Sequence, residues 1–161
     1  MDPLQRARAR TVLGYLPPEH MSTWANTALS RGYDSPAVRE LATASPEHDP
    51  AELRLLLATA LEQLHAPHLT DEQARWVMVH TYAHAILEGL LPPQEGAELI
   101  AEESAELALP DELAPMCEAA DPWQRGWSTD EELDQWIRDR ATQLLAGMDR
   151  AAPVKGAESG T

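Results

Sequence analysis

Trp76-Val-Met-Val-His80-Thr-Tyr-Ala-His84-Ala-Ile-Leu-Glu88 decides how this chain folds. No residue between Arg75 and Glu88 carries a formal charge, and the apolar positions surround most of a helical circumference. At about 100° per residue, Gln73, Val77, His80, Thr81, His84 and Glu88 share one arc of roughly 100°. Apart from Arg75 and the hydroxyl of Tyr82, everything outside that arc is apolar. A helix so apolar belongs at the centre of a domain, and its narrow polar stripe must face solvent, a partner or a ligand.

The flanking sequence punctuates further helices. Asp2-Pro3, Ser35-Pro36 and Asp49-Pro50 each pair a side-chain cap with a ring preset for the first helical position. Asp49-Pro-Ala-Glu52, Thr70-Asp-Glu-Gln73 and Ser128-Thr-Asp-Glu131 have the spacing of capping boxes, and Gly32 and Gly89 mark stops. With the apolar spacing, these signals predict helices near 3–15, 18–31, 36–44, 50–65, 71–88, 93–108, a short piece at 111–120, and 129–148. No strand pattern competes. The expected fold is all-α, a single compact domain over 1–149 of about seven to eight helices, built as a bundle or as stacked helical hairpins. Residues 150–161 read as a flexible C-terminal tail.

Two segments carry a resemblance. Gly32-Tyr-Asp-Ser-Pro-Ala-Val-Arg-Glu-Leu-Ala42 and Gly89-Leu-Leu-Pro-Pro-Gln-Glu-Gly-Ala-Glu-Leu-Ile100 resemble parts of small all-helical actinobacterial proteins. The resemblance spans roughly residues 20–135 and implies an all-helical fold. Its motifs are short and structural, so no catalytic residue or activity transfers with it.

Charge narrows the function. The 161 residues carry a net charge of −15, with 11 Arg and one Lys against 27 carboxylates. Five Arg face four carboxylates in residues 1–40, two face twelve in 41–110, and three face ten in 111–149. A field of that sign repels nucleic-acid phosphates and anionic lipids, and attracts basic protein surfaces. No uncharged run approaches the roughly 20 residues a membrane helix needs. A cytoplasmic protein without nucleic-acid or membrane partners is expected. Cys117 stands alone, which rules out an intrachain disulfide and fits a small buried hydrophobe.

Three site readings arise. His80 and His84, one helical turn apart, can both reach a Zn or Fe ion. Glu88 stands about 12 Å from His80 along the axis, too far to join both histidines on one ion. If the preceding helix packs antiparallel, its start brings His48, Asp49 and Glu52 near His84, and Glu52 is the candidate third ligand, although its helical wheel aims it away from the apolar face of its own helix. Thr81 occupies the position where a zinc protease would carry its Glu base, and the plain alternative is a pair of histidines hydrogen-bonded at the edge of a buried helix. A metal-free pocket would be lined by Met78, Tyr82 and Ile86, with His80 or His84 at its mouth.

The third reading is a partner surface. Trp123, Trp127 and Trp136 lie among five carboxylates in residues 121–136 and can bind a protein, or else fold together over the last helix. His65, in the last turn of its helix, reads as a complement to the helix dipole. The leading expectation is a small acidic protein-binding module of immunity, inhibitor or adaptor type, acting on a basic macromolecule and needing no cofactor. The alternative is a metal-dependent enzyme or small-molecule binder centred on His80 and His84.

Overall fold

The computed structural model describes residues 2–45, 47–121 and 129–151, and every regular element among them is helical. In chain order these are α1 (Pro3–Val12), α2 (Pro18–Ser30), α3 (Pro36–Ala42), α4 (Pro50–Gln63), α5 (Asp71–Leu87), α6 (Pro93–Glu106), a 3₁₀ turn (Asp111–Leu113), α7 (Ala114–Ala120) and α8 (Asp130–Ala151). The chain divides into two compact units, residues 1–77 and 78–161, with α5 passing from one to the other. Among the described residues, no helix is long and apolar enough to cross a membrane.

The proline-led starts form as their chemistry requires. Asp2 accepts the Leu4 amide at 3.0 Å, Ser35 the Val38 amide at 3.3 Å, and Asp49 the Ala51 amide at 3.0 Å. Each satisfies a donor that a helix start leaves unpaired. Thr70 and Gln73 close a reciprocal box: the Thr70 amide donates to Gln73 Oε1 at 2.9 Å, and the Gln73 amide donates to Thr70 Oγ1 at 3.2 Å. The last helix starts one residue later than expected. Its cap is Thr129, whose hydroxyl accepts the Glu132 amide at 3.2 Å, and Ser128 lies outside the described residues.

The ends of α2, α4 and α5 share one closure. After α2, Gly32 at φ +86° lets its own amide reach the Leu29 carbonyl and the Tyr33 amide reach that of Ala28. Gly89, at φ +71°, does the same after α5. This six-residue wrap needs a left-handed residue, which glycine adopts freely. At the end of α4 the same wrap is built on His65, at φ +56°, with its amide bonded to the Glu62 carbonyl and that of Ala66 to Leu61. His65 therefore sits just beyond the helix rather than in its last turn, because a left-handed residue cannot continue a right-handed helix. A non-glycine residue held there costs roughly 1–2 kcal/mol. His65→Gly is expected to raise stability by about 1 kcal/mol once the added freedom of the unfolded chain is counted. Urea unfolding checks it; a loss of stability would mean the imidazole contributes more than its backbone costs.

The first unit gathers α1–α4. Leu57, Ala60 and Leu61 of α4 are fully buried against Val38 and Leu41 of α3 and Ala25 of α2. The spacing predicts an apolar face of Leu53, Leu57, Ala60, Leu61 and Leu64; the first four are buried, and Leu64, the C-cap, packs partly buried against the same core. The short α3 is held at both ends by its neighbours. Gln63 Oε1 accepts the Ala37 amide at 3.0 Å, while Ser22 and Asn26 donate to the Ala42 carbonyl at 2.9 and 3.0 Å. Arg8 of α1, only 7% exposed, donates to Glu62 at 2.7 Å and to the Ala66 carbonyl at 3.3 Å. It ties the first helix to the turn that closes the fourth.

In the second unit α6 packs on α7 and α8, and α7 on α8. Ile86, Ile100, Leu113, Met116, Leu133 and Ile137 are its most deeply buried large side chains. The spacing of Leu133, Ile137, Ala141, Leu144 and Met148 predicts one core stripe on α8; the first four are buried, Met148 is half-buried, and the helix continues to Ala151. Residues 152–161 lie outside the described residues. Gly96 of α6 lies so close to Ile86 of α5 that a Cβ there would stand 2.5 Å from two Ile86 carbons.

Candidate functional site

On α5 the buried positions Met78, Val79, Ala83 and Ile86 commit most of the helix to the core. His80 and His84 remain half-buried on the stripe left over. Their ring centroids are 4.6 Å apart, with planes inclined at 44°. Nδ1 of His80 is buried and has no hydrogen-bond partner among the described residues. Burial, and then the adjacent His84, push the His80 imidazole below its ordinary pKa, while Asp149 on α8 pulls it the other way. Near neutral pH His80 is thus a neutral ring with a free lone pair.

Of the residues expected to line a pocket, Met78 and Ile86 are 4% and 1% exposed, and Tyr82 is half-buried. Met78 and Ile86 belong to the core of the second unit. Glu52 is exposed near the start of α4, in the first unit. Among the described residues, no three His, Cys, Asp or Glu side chains converge to hold a metal ion. Cys117 is half-buried on α7.

Of the tryptophan surface, Trp123 and Trp127 lie outside the described residues. Trp136 is half-buried on the flank of α8, with the Arg140 guanidinium carbon 5.0 Å from the indole centroid. A cation at that distance over a ring is attracted by its quadrupole, which stiffens both side chains.

The structure adds a feature not singled out from the sequence. Glu95, Glu98, Glu102 and Glu106 of α6 are all exposed, while Pro93, Gly96, Ala97, Ile100, Glu103 and Ser104 of the same helix are buried. At about 100° per residue the four exposed carboxylates fall within roughly 80° of arc. Their 3-4-4 spacing was the available signal. α6 contains no Lys or Arg, and like charges one turn apart each cost about 0.2–0.5 kcal/mol. The stripe belongs to the more acidic unit: residues 1–77 hold ten carboxylates against seven arginines, and 78–161 hold seventeen against five basic residues. Twelve of the fifteen net negative charges thus lie in the second unit.

Comparisons of the chain with protein-family models, with curated proteins and with solved structures return no match.

Proposed function

We propose that the chain works by binding a basic protein through the acidic face of its second unit, in the manner of an inhibitor, an immunity protein or an adaptor. The observation that carries this reading is the α6 stripe of Glu95, Glu98, Glu102 and Glu106 within a unit of net charge −12. Like charges one turn apart, as at Glu95, Glu98 and Glu102, weaken the helix that bears them, and a partner presenting Lys or Arg at matching intervals relieves that repulsion. A concentrated field of one sign raises the rate of encounter with an oppositely charged surface by about 10–10³ at low salt. Repulsion of phosphate by the same field favours a protein partner over nucleic acid.

The experiment uses the full chain as bait at low ionic strength, followed by kinetics with the purified partner. Partners more basic than the proteome are expected, with an association rate that falls at least about tenfold on moderate salt addition. Glu98→Lys with Glu102→Lys should reduce that rate by a similar factor while leaving the helical signal unchanged. Salt-insensitive capture of partners no more basic than average, or an unchanged rate in the double variant, would sink the proposal.

A further inference from the structure

We infer that His80 and His84 form a two-nitrogen clamp for a tetragonal divalent cation of the Cu(II) or Ni(II) class. The inference rests on the geometry of the pair and is independent of the acidic face. Both rings stand on one rigid helix, one turn apart, so backbone order has already fixed their spacing. With a metal–nitrogen bond of about 2.0 Å, each ring centroid stands roughly 3.2 Å from the ion. Where both nitrogens aim at one ion, centroids 4.6 Å apart subtend an angle of about 90° at it. That is the angle between neighbouring ligands in a tetragonal complex. A tetrahedral ion would need the rings roughly 5.2 Å apart.

The donor set agrees with the angle. Imidazole nitrogen suits Cu(II) and Ni(II), and Cu(II) heads the affinity order for a nitrogen site. A structural zinc site would require further protein ligands, and none converges among the described residues. Water or an added ligand fills the remaining positions. Nδ1 of His80 is the buried nitrogen, so His80 must ligate through Nε2. Nδ1 of His80 makes no hydrogen bond among the described residues that ligation would have to break.

The test titrates untagged full-length chain with CuCl₂ at neutral pH in a non-coordinating buffer, read by calorimetry and by electron paramagnetic resonance. One equivalent is expected to bind with hyperfine structure from two nitrogens. His84→Ala should weaken binding at least about tenfold, an effect of the size that follows loss of an ordinary ligand support. His65→Ala with His68→Ala, which removes two exposed imidazoles elsewhere, should change neither reading. A wild-type spectrum with one nitrogen or none overturns the inference, whatever the variants do. So does unchanged affinity in His84→Ala, or loss of the site in the His65 and His68 double variant.

Discussion

Gly96→Ala is expected to destabilise the protein by about 2 kcal/mol, although alanine is the better helix former by about 1 kcal/mol. Gly96 lies in the first turn of α6 and is buried. The new methyl would stand 2.5 Å from Cδ1 and Cγ1 of Ile86 and 3.2 Å from Cδ2 of Leu91. Ile86 is 1% exposed, so its side chain has no solvent to move into. α5 and α6 must separate or Ile86 must leave its rotamer, and overpacking of that kind costs about 1–3 kcal/mol beyond any propensity gain. Gly147→Ala is the control. That glycine is exposed on α8 with nothing within 4 Å of where its Cβ would lie, so the same substitution should stabilise by up to about 1 kcal/mol. Urea melts of the two variants should shift in opposite directions. Ile86→Val, which removes Cδ1, should recover part of the Gly96→Ala loss, and purely additive effects would count against a clash.

Arg8→Ala should cost about 2–3 kcal/mol. The guanidinium is nearly enclosed, its side chain 9% exposed, and it holds the half-exposed Glu62 at 2.7 Å and the Ala66 carbonyl at 3.3 Å. Its removal leaves a cavity between α1 and α4 and strips a donor from the turn that His65 closes. Water can reach Glu62, which keeps the loss below that of a fully buried pair. Arg8→Lys should recover only part, because one nitrogen, Nη2, reaches both acceptors from the end of the longer arginine stem, and the shorter lysine leaves the space of the rest of the guanidinium unfilled.

The same pair sets a pH dependence. The hydrogen bond from Arg8 holds the Glu62 carboxyl below the usual glutamate range. In the window between its folded and unfolded pKa values the unfolded chain binds more protons, so stability rises with pH there. The contribution is complete above the ordinary glutamate pKa and is lost as pH falls through the lowered one. Glu62→Gln should flatten that acid-side slope in urea melts across a pH series, and an unaltered slope would show that other carboxylates set it.

Where local chemistry alone decides a feature, the sequence reveals it. Asp2, Ser35 and Asp49 cap the helices they precede because a short acceptor followed by proline leaves the backbone few other choices. Thr70 and Gln73 close their box for the same reason. Features set by tertiary contact were hidden. Nothing local marks His65, Ala108 and Leu109 as left-handed, at φ +56°, +62° and +55°, since no glycine announces the turn. Gly96 reads as a weak helix residue until Ile86 is seen against it. The His80–His84 spacing was plain, but their ring separation and the buried Nδ1 depend on how α5 is packed. The acidic stripe of α6 was legible in its spacing, though which face α6 buries follows from Ile100, Glu103 and Ser104 together.

The helices of each unit pack mostly on their neighbours in sequence, α2 on α3 and α3 on α4, then α6 on α7 and α7 on α8. Chain segments so close together meet after little loop closure, and helical topologies of that kind fold in microseconds to milliseconds. The Arg8–Glu62 bond runs against this pattern, joining residues 54 positions apart. A contact that must wait for its partner helix contributes little at the folding barrier and much to holding the finished unit closed. Arg8 is in that sense a latch: without it the first unit should assemble about as fast as before and come apart sooner.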